Sequence, residues 1–172
     1  MMNKRVEIEP RDLMMRVAHH WLDRWFLLTS GTWEEHNCMT IAWGSIGGMW
    51  GVPFLQVVVR PQRYTYEFME RFPTFTVCSF PKELKPALQH LGSRSGREGD
   101  KLAATGLTLE RSKQVEAPSY AEADLVFECR KIFAQDMDPK GFLKPEIQDW
   151  YPKNDYHRMY YGEILGVFST QN

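Results

Sequence analysis

Phe54-Leu55-Gln56-Val57-Val58-Val59-Arg60-Pro61-Gln62-Arg63-Tyr64-Thr65 joins two kinds of signal in one short run. Phe54 to Val59 is apolar and β-branched with almost no polar alternation, which suits a strand buried on both faces. Pro61 cannot continue a ladder. Thr65 then occupies an N-cap position, and a helical turn is predicted over Thr65 to Arg71. A helix N-terminus presents unpaired N–H groups and partial positive charge. Two guanidiniums and a hydroxyl beside it suit an anion such as a phosphate. The same residues also describe an ordinary capped helix start with solvated arginines.

Outward from this run, strands dominate. Trp25 to Thr29, Cys38 to Ile46, Phe75 to Phe80, Asp124 to Ala134 and Met159 to Phe168 all read as strands. The alternation is clearest where Leu125, Phe127 and Cys129 interleave with Val126, Glu128 and Arg130. Besides the turn at Thr65 to Arg71, helices are predicted over Pro10 to Leu22, where Leu13, Val17 and Trp21 recur every four residues, over Pro81 to Leu91, and briefly over Asp100 to Ala104. Asp136 to Tyr156 is a long excursion rich in Pro, Lys and Asp, with Phe142, Trp150 and Tyr151 set within it. Many strands and short helices predict a closed or sandwich-like antiparallel β architecture with helices outside it. No repeat or Pro/Gly/Ser linker interrupts the chain, so residues 1–172 read as one domain.

Composition removes several function classes. The 172 residues carry 21 Lys+Arg and 22 Asp+Glu, a formal charge of -1. That balance lacks the surplus that duplex nucleic acid or an anionic membrane requires. Cys38, Cys78 and Cys129 form no C-x-x-C pair, which removes zinc-ribbon and dithiol motifs and suits a reducing, cytoplasmic compartment. The N-terminus offers no apolar leader, and Gly47 to Val59 is too short and too interrupted to span a bilayer. Six Trp, seven Tyr and ten Phe stand out. They fit a β-rich core, and equally an interface or a flat-ring ligand.

Four segments could carry chemistry. Asn37-Cys38-Met39-Thr40-Ile41-Ala42-Trp43-Gly44 puts small residues and Gly where a planar ligand could lie against backbone, or where a second strand could pack. Arg60 to Thr65 is the cradle described above. Gly92-Ser93-Arg94-Ser95-Gly96-Arg97, running to Asp100-Lys101, offers donors to an anion, or is a surface loop. Asp155-Tyr156-His157 leads from the aromatic excursion into the Gly162-containing last strand. No His/Asp/Glu set has metal-ligand spacing, and neither a G-x-S-x-G nor a P-loop string occurs.

Taken in order, these segments resemble the flavin reductase-like family of FMN-binding split-barrel proteins related to flavoredoxin. The similarity runs from about Phe26 to Phe168. It is carried by Asn37, Met39, Thr40 and Trp43-Gly44, the Arg60 to Thr65 run, Phe75-Thr76, Ser95-Gly96-Arg97 with Asp100-Lys101, and Asp155 to Gly162. It implies a mainly β, Greek-key split barrel that forms a homodimer, with FMN near the subunit interface. Asn37, Thr40, Ala42 and Trp43 would lie along the isoalloxazine and ribityl. Arg60, Arg63, Tyr64 and Thr65 would hold the phosphate, with Ser79 and Lys101 as further contacts. His157 would stand on the substrate side as the catalytic candidate. Here the chain reads Asp155-Tyr156-His157 where related reductases often read Gly-Asp-His, and the N-terminal helix departs from the family pattern.

The implied activity is NADH- or NADPH-dependent reduction of flavin or a small acceptor. The alternative is an FMN-binding electron-transfer protein served by a redox protein partner. A split barrel recruited to another planar cofactor, such as haem, is a third reading, although no His or Cys is marked as an axial ligand. Because the flavin itself accepts the hydride, the lack of a triad or a carboxylate pair is compatible with redox function.

Overall fold

Phe54 to Val59 does form a strand buried on both faces, and it lies inside an antiparallel sheet. The computed structural model describes residues 4–170. Its strands are β1 (Val6–Ile8), β2 (Phe26–Gly31), β3 (His36–Ile41), β4 (Gly44–Met49), β5 (Val52–Val59), β6 (Thr74–Ser79), β7 (Leu109–Glu110), β8 (Ser119–Tyr120), β9 (Leu125–Asp136) and β10 (Arg158–Ser169). The main sheet runs β3-β2-β6-β9-β10-β5-β4, with β1 also on β10, while β7 and β8 pair separately. Every pairing is antiparallel.

The strand order dictates the curvature. β3 and β4 lie at opposite ends of the path, yet only Ala42 and Trp43 connect them. Three Cα–Cα steps reach at most about 11 Å. The sheet therefore curls until its two ends nearly meet, without hydrogen bonds between them: a mainly β split barrel with short helices outside, as expected.

Inside the barrel, Phe26, Leu28, Met39, Ile41, Leu55, Val57, Val59, Phe75, Val77, Phe127 and Cys129 make one core. Their neighbours Leu27, Cys38, Cys78 and Val126 face outward into a second core with Leu88 and Leu91. Two-sided burial explains why β2 and β5 lack polar alternation. The helices are α1 (Val17–His19), α2 (Tyr64–Arg71) and α3 (Lys85–Ser93). Leu88 and Leu91 are buried residues of α3, which gives the second core its lid.

Four local expectations are corrected. Cys38 to Ile46 is not one strand: β3 ends at Ile41, β4 starts at Gly44, and Trp43 sits at the bend between them. A Cβ at Gly44 would stand 2.4 Å from both the Gln56 carbonyl oxygen and the Trp21 ring, so the bend needs glycine. Pro10 to Leu22 is not one helix: a 3₁₀ turn at Pro10–Asp12 is followed by extended chain, then α1 and a wide π-type turn over His20–Arg24. This broken strap lets Leu13 and Met15 pack against the barrel while Trp21 reaches Phe26, with ring centroids 4.7 Å apart. Asp100 to Ala104 forms turns, because the Asp100 carboxylate accepts from the N–H groups of Leu102 and Ala103. Finally, α2 begins one residue earlier than predicted, with Arg63 at its N-cap, so Thr65 lies inside the first turn.

The β4–β5 hairpin turns on Trp50 and Gly51, both at positive φ (54° and 78°), as a two-residue primed turn demands. The β10 ladder is irregular between Tyr161 and Gly162. There a Cβ on residue 162 would come within 2.5 Å of the buried Phe75 ring. Gly162→Ala is expected to destabilise the fold by about 1–3 kcal/mol through overpacking, read as a lower urea midpoint at unchanged m-value.

Candidate functional site

Closure of the barrel brings β3, the β5–α2 junction, the end of α3 and the late excursion to one side. Two cavities lie there and share Met39 in their walls. The first, about 230 Å³, is bounded by Asn37, Arg63, Tyr64, Thr65, Gly96 and Lys101. The second, about 240 Å³, is bounded by Thr40, Ala42, Trp43, Arg60, Trp150 and His157. Ten of the eleven sequence-predicted residues, all but Ser79, line these two chambers, five in each.

The first chamber is cationic. Arg63 donates to the Gly92 carbonyl at 2.7 Å, and Lys101 donates to the carbonyls of Leu91 and Arg94 at 2.9 and 3.1 Å. Both cations thus sit on the C-terminal end of α3, and among the described residues neither has a carboxylate partner within 4.0 Å. Burial lowers the pKa of each; for Arg63 the neighbouring Arg60 adds to the effect, and for Lys101 the neighbouring Arg63 does. Glu98 also lines this chamber but pairs with neither cation, and half-buried positive charge beside the N-terminus of α2 suits an anion. Asn37 Nδ2 donates to Thr65 Oγ1 at 2.7 Å, which ties β3 to α2. The loop closes tightly on this pair, since a Cβ at Gly96 would lie 2.1 Å from Asn37 Oδ1.

The second chamber is aromatic. The Trp43 ring lies 5.2 Å from His157 and 5.3 Å from Trp150, centroid to centroid. Arg60 belongs here rather than with Arg63. Its guanidinium pairs with Asp155 at 2.7 Å, donates to the Trp150 carbonyl at 2.8 Å and lies over the Tyr151 ring at 5.0 Å. Asp155 is also bonded by Gln62, and these hydrogen bonds, Arg60's foremost, hold its carboxyl below the usual range. Arg60 is therefore already neutralised, unlike Arg63. Thr40 is committed too: its hydroxyl donates to the Leu88 carbonyl at 2.5 Å.

Ser79 is the predicted residue that joins neither chamber. It is buried within β6, opposite Leu125 on β9, and its Oγ has no hydrogen-bond partner among the described residues. Tyr151, which the sequence marks as one of the excursion's aromatics without assigning it a role at the site, proves central to the second chamber. It is only 2% exposed, and its hydroxyl lies 2.8 Å from His157 Nδ1. Its ring is stacked by Phe142 and packed by Tyr156. The signal available was the aromatic density of the excursion before His157. A larger cavity, about 710 Å³, lies between the Pro10–Val17 strap and the β4–β5 hairpin. Among the described residues its one ionisable wall residue is Arg11, and the rest of its wall is glycine, proline and apolar side chains.

With this geometry in view, the sequence pattern described as "Flavin reductase like domain" matches residues 24–170. The chain belongs to the flavin reductase-like family. An uncharacterized protein of Archaeoglobus fulgidus is 31% identical over 144 residues, which cover 84% of this chain and 71% of the relative. Among solved structures, an FMN-binding domain of a flavin reductases-like enzyme from Shewanella baltica superimposes with a TM-score of 0.72 at 19% identity, covering 99% of this chain and 79% of that one. Flavoredoxin from Methanosarcina acetivorans gives a TM-score of 0.65 at 22% identity, covering 85% and 68%. These likenesses show the split-barrel fold. Membership of the family supports a flavin-related oxidoreductase or electron-transfer role.

His157 is neutral in this setting. Burial, and after it the Arg60 charge, lowers its pKa from 6.5 to about 4; burial lowers His20 as well. The unfolded chain takes up protons at both imidazoles through the ordinary range, while folded His157 does not until about pH 4. The unfolded state thus binds more protons in that window, and stability is lost as pH falls from about 6.5 to 4. Urea denaturation is expected to show a His157 contribution of roughly 1–3 kcal/mol across this window, which His157→Gln removes.

Proposed function

We propose that the chain binds FMN along the paired chambers and transfers electrons from NADH or NADPH to flavin or another small acceptor. The observation that carries this reading is the pair of half-buried cations, Arg63 and Lys101, without carboxylate partners beside the α2 N-terminus and next to an aromatic slot. A ligand with an anionic end and a flat aromatic end suits that donor set. Arg63, Lys101, Tyr64 and Thr65 would hold the phosphate, with Asn37 bracing Thr65. Ala42 and Trp43 would border the ring system, Thr40 would fix β3 against α3, and Arg60 and His157 would edge the slot. When bound, the flavin supplies a hydride- and electron-accepting ring. The protein's part is to neutralise the phosphate, exclude water from one ring face and offer polar hydrogens at the slot's edge.

The slot is open on one side, with Trp43 36% and Trp150 61% exposed. We read that opening as the surface covered by a second copy of the chain in a homodimer. The same exposure favours the second reading, an FMN-binding electron-transfer protein whose donor is a protein. Light scattering is expected to report twice the 20.2 kDa chain mass; a monomer at micromolar concentration would refute the dimer.

Purified protein is expected to be yellow, or to become so with added FMN. NADH or NADPH in stopped flow should bleach the flavin absorption near 450 nm (about the maximum of an oxidised flavin). Bleaching by a reduced protein donor but by neither nucleotide selects the second reading. Arg63→Ala should weaken FMN binding by about 1–3 kcal/mol through loss of a charged hydrogen bond. Arg60→Ala, whose charge is spent on Asp155, should weaken it less. Equal retention of FMN by wild type and Arg63→Ala would refute the cradle.

A further inference from the structure

The hydrogen bond between Tyr151 and His157 decides which imidazole nitrogen carries the proton. The Tyr151 hydroxyl has two neighbours that could accept from it, His157 Nδ1 at 2.8 Å and Met137 Sδ at 3.3 Å. A ring nitrogen lone pair is a far better acceptor than a thioether, and it is the closer of the two. The phenol is itself a secure donor, because burial raises its pKa above the ordinary value. Tyr151 therefore donates, Nδ1 accepts, and the single proton of the neutral ring resides on Nε2.

The surrounding charges agree with a neutral ring. Arg60, from the end of β5, opposes a second proton on the imidazole, and the Asp155 carboxylate that could favour one is bonded to Arg60 and Gln62. The remaining neighbours are the uncharged rings of Trp43 and Tyr151. Nε2 has no hydrogen-bond partner among the described residues, and the side chain borders the aromatic slot.

We propose that Tyr151 is a positioning residue that locks His157 as the neutral Nε2–H tautomer, so that the slot presents one fixed N–H donor to an uncharged oxygen acceptor, such as a carbonyl, carboxamide or nitro oxygen of the reacting molecule. The ligand half of this proposal rests on the flavin reading of the slot; the tautomer half does not. A fixed donor selects molecules bearing an acceptor oxygen at the slot's edge and discriminates against those presenting a donor there, which would leave two hydrogens opposed.

The test uses the full chain labelled with ¹⁵N-histidine, with the His157 signals assigned by their loss in His157→Gln. At neutral pH the wild-type spectrum should show Nδ1 as the unprotonated, acceptor-type nitrogen and Nε2 as the protonated one. Tyr151→Phe keeps the ring that Arg60, Phe142 and Tyr156 pack against and removes only the hydroxyl, so Nδ1–H should appear. A wild-type His157 protonated on Nδ1, or a tautomer unchanged in Tyr151→Phe, overturns the assignment; the wild-type spectrum alone decides if the variant fails to fold. In stopped flow, Tyr151→Phe should slow reduction or raise the nucleotide KM by about tenfold, as expected for one lost neutral hydrogen bond, with FMN affinity unchanged within about twofold. Unchanged kinetics overturn the ligand half. A confirmed tautomer in a protein that takes up no FMN would instead refute the flavin reading and leave the Tyr151 assignment standing.

Discussion

The short link Ala42–Trp43 constrains everything else in this molecule. It joins two strands that the hydrogen-bonding order puts at opposite ends of the sheet. Two residues cannot span a flat sheet of that width, so the sheet must curl until β3 and β4 are neighbours in space. The link is too short to allow a strand between them, and no ladder joins them, so the barrel stays split. Trp21 stands at this seam, against Gly44 on one side and Phe26 on the other. The bend also leaves Trp43 outside any ladder, where its ring faces the late excursion rather than the core.

The same closure sorts the polar groups into two kinds. Arg60 meets Asp155 from the excursion and is neutralised, so it contributes shape and a local positive field to the aromatic chamber. Among the described residues Arg63, three residues later, donates only to the Gly92 carbonyl at the end of α3, and Lys101 to the carbonyls of Leu91 and Arg94. A carbonyl dipole compensates a cation only in part, which is why burial lowers the pKa of both groups. The proposed ligand, with a phosphate at one end and a flat ring at the other, suits such an asymmetry.

Much of the fold was legible because its signals are local. The continuous apolar run at Phe54–Val59 and the alternation at Leu125–Cys129 follow directly from which strand faces are buried. The failures are equally physical. Pro10 to Leu22 has helical spacing, but Leu13 and Trp21 are pulled to different parts of the barrel, and tertiary packing overrides a weak propensity. The Thr65 hydroxyl suits a cap, yet Arg63 holds that position and Asn37 of β3 donates to the hydroxyl instead. Likewise Ser79, polar and near the right place in the chain, is turned into the sheet.

By itself the sequence determined the β-rich class and the family, since these depend on local pattern and on strings that occur in a characteristic order. Only the tertiary structure decided that Arg60 and Arg63 serve different chambers, that Tyr151 holds His157, and that Trp43 lies at a bend. Arg60 meets Asp155, 95 residues away, and Arg63 meets Gly92, 29 residues away; Tyr151 and His157 are six residues apart, but their contact depends on how the excursion folds back onto β10. Sequence spacing carries no information about which distant side chain will arrive first to satisfy a buried charge or donor; sheet closure does.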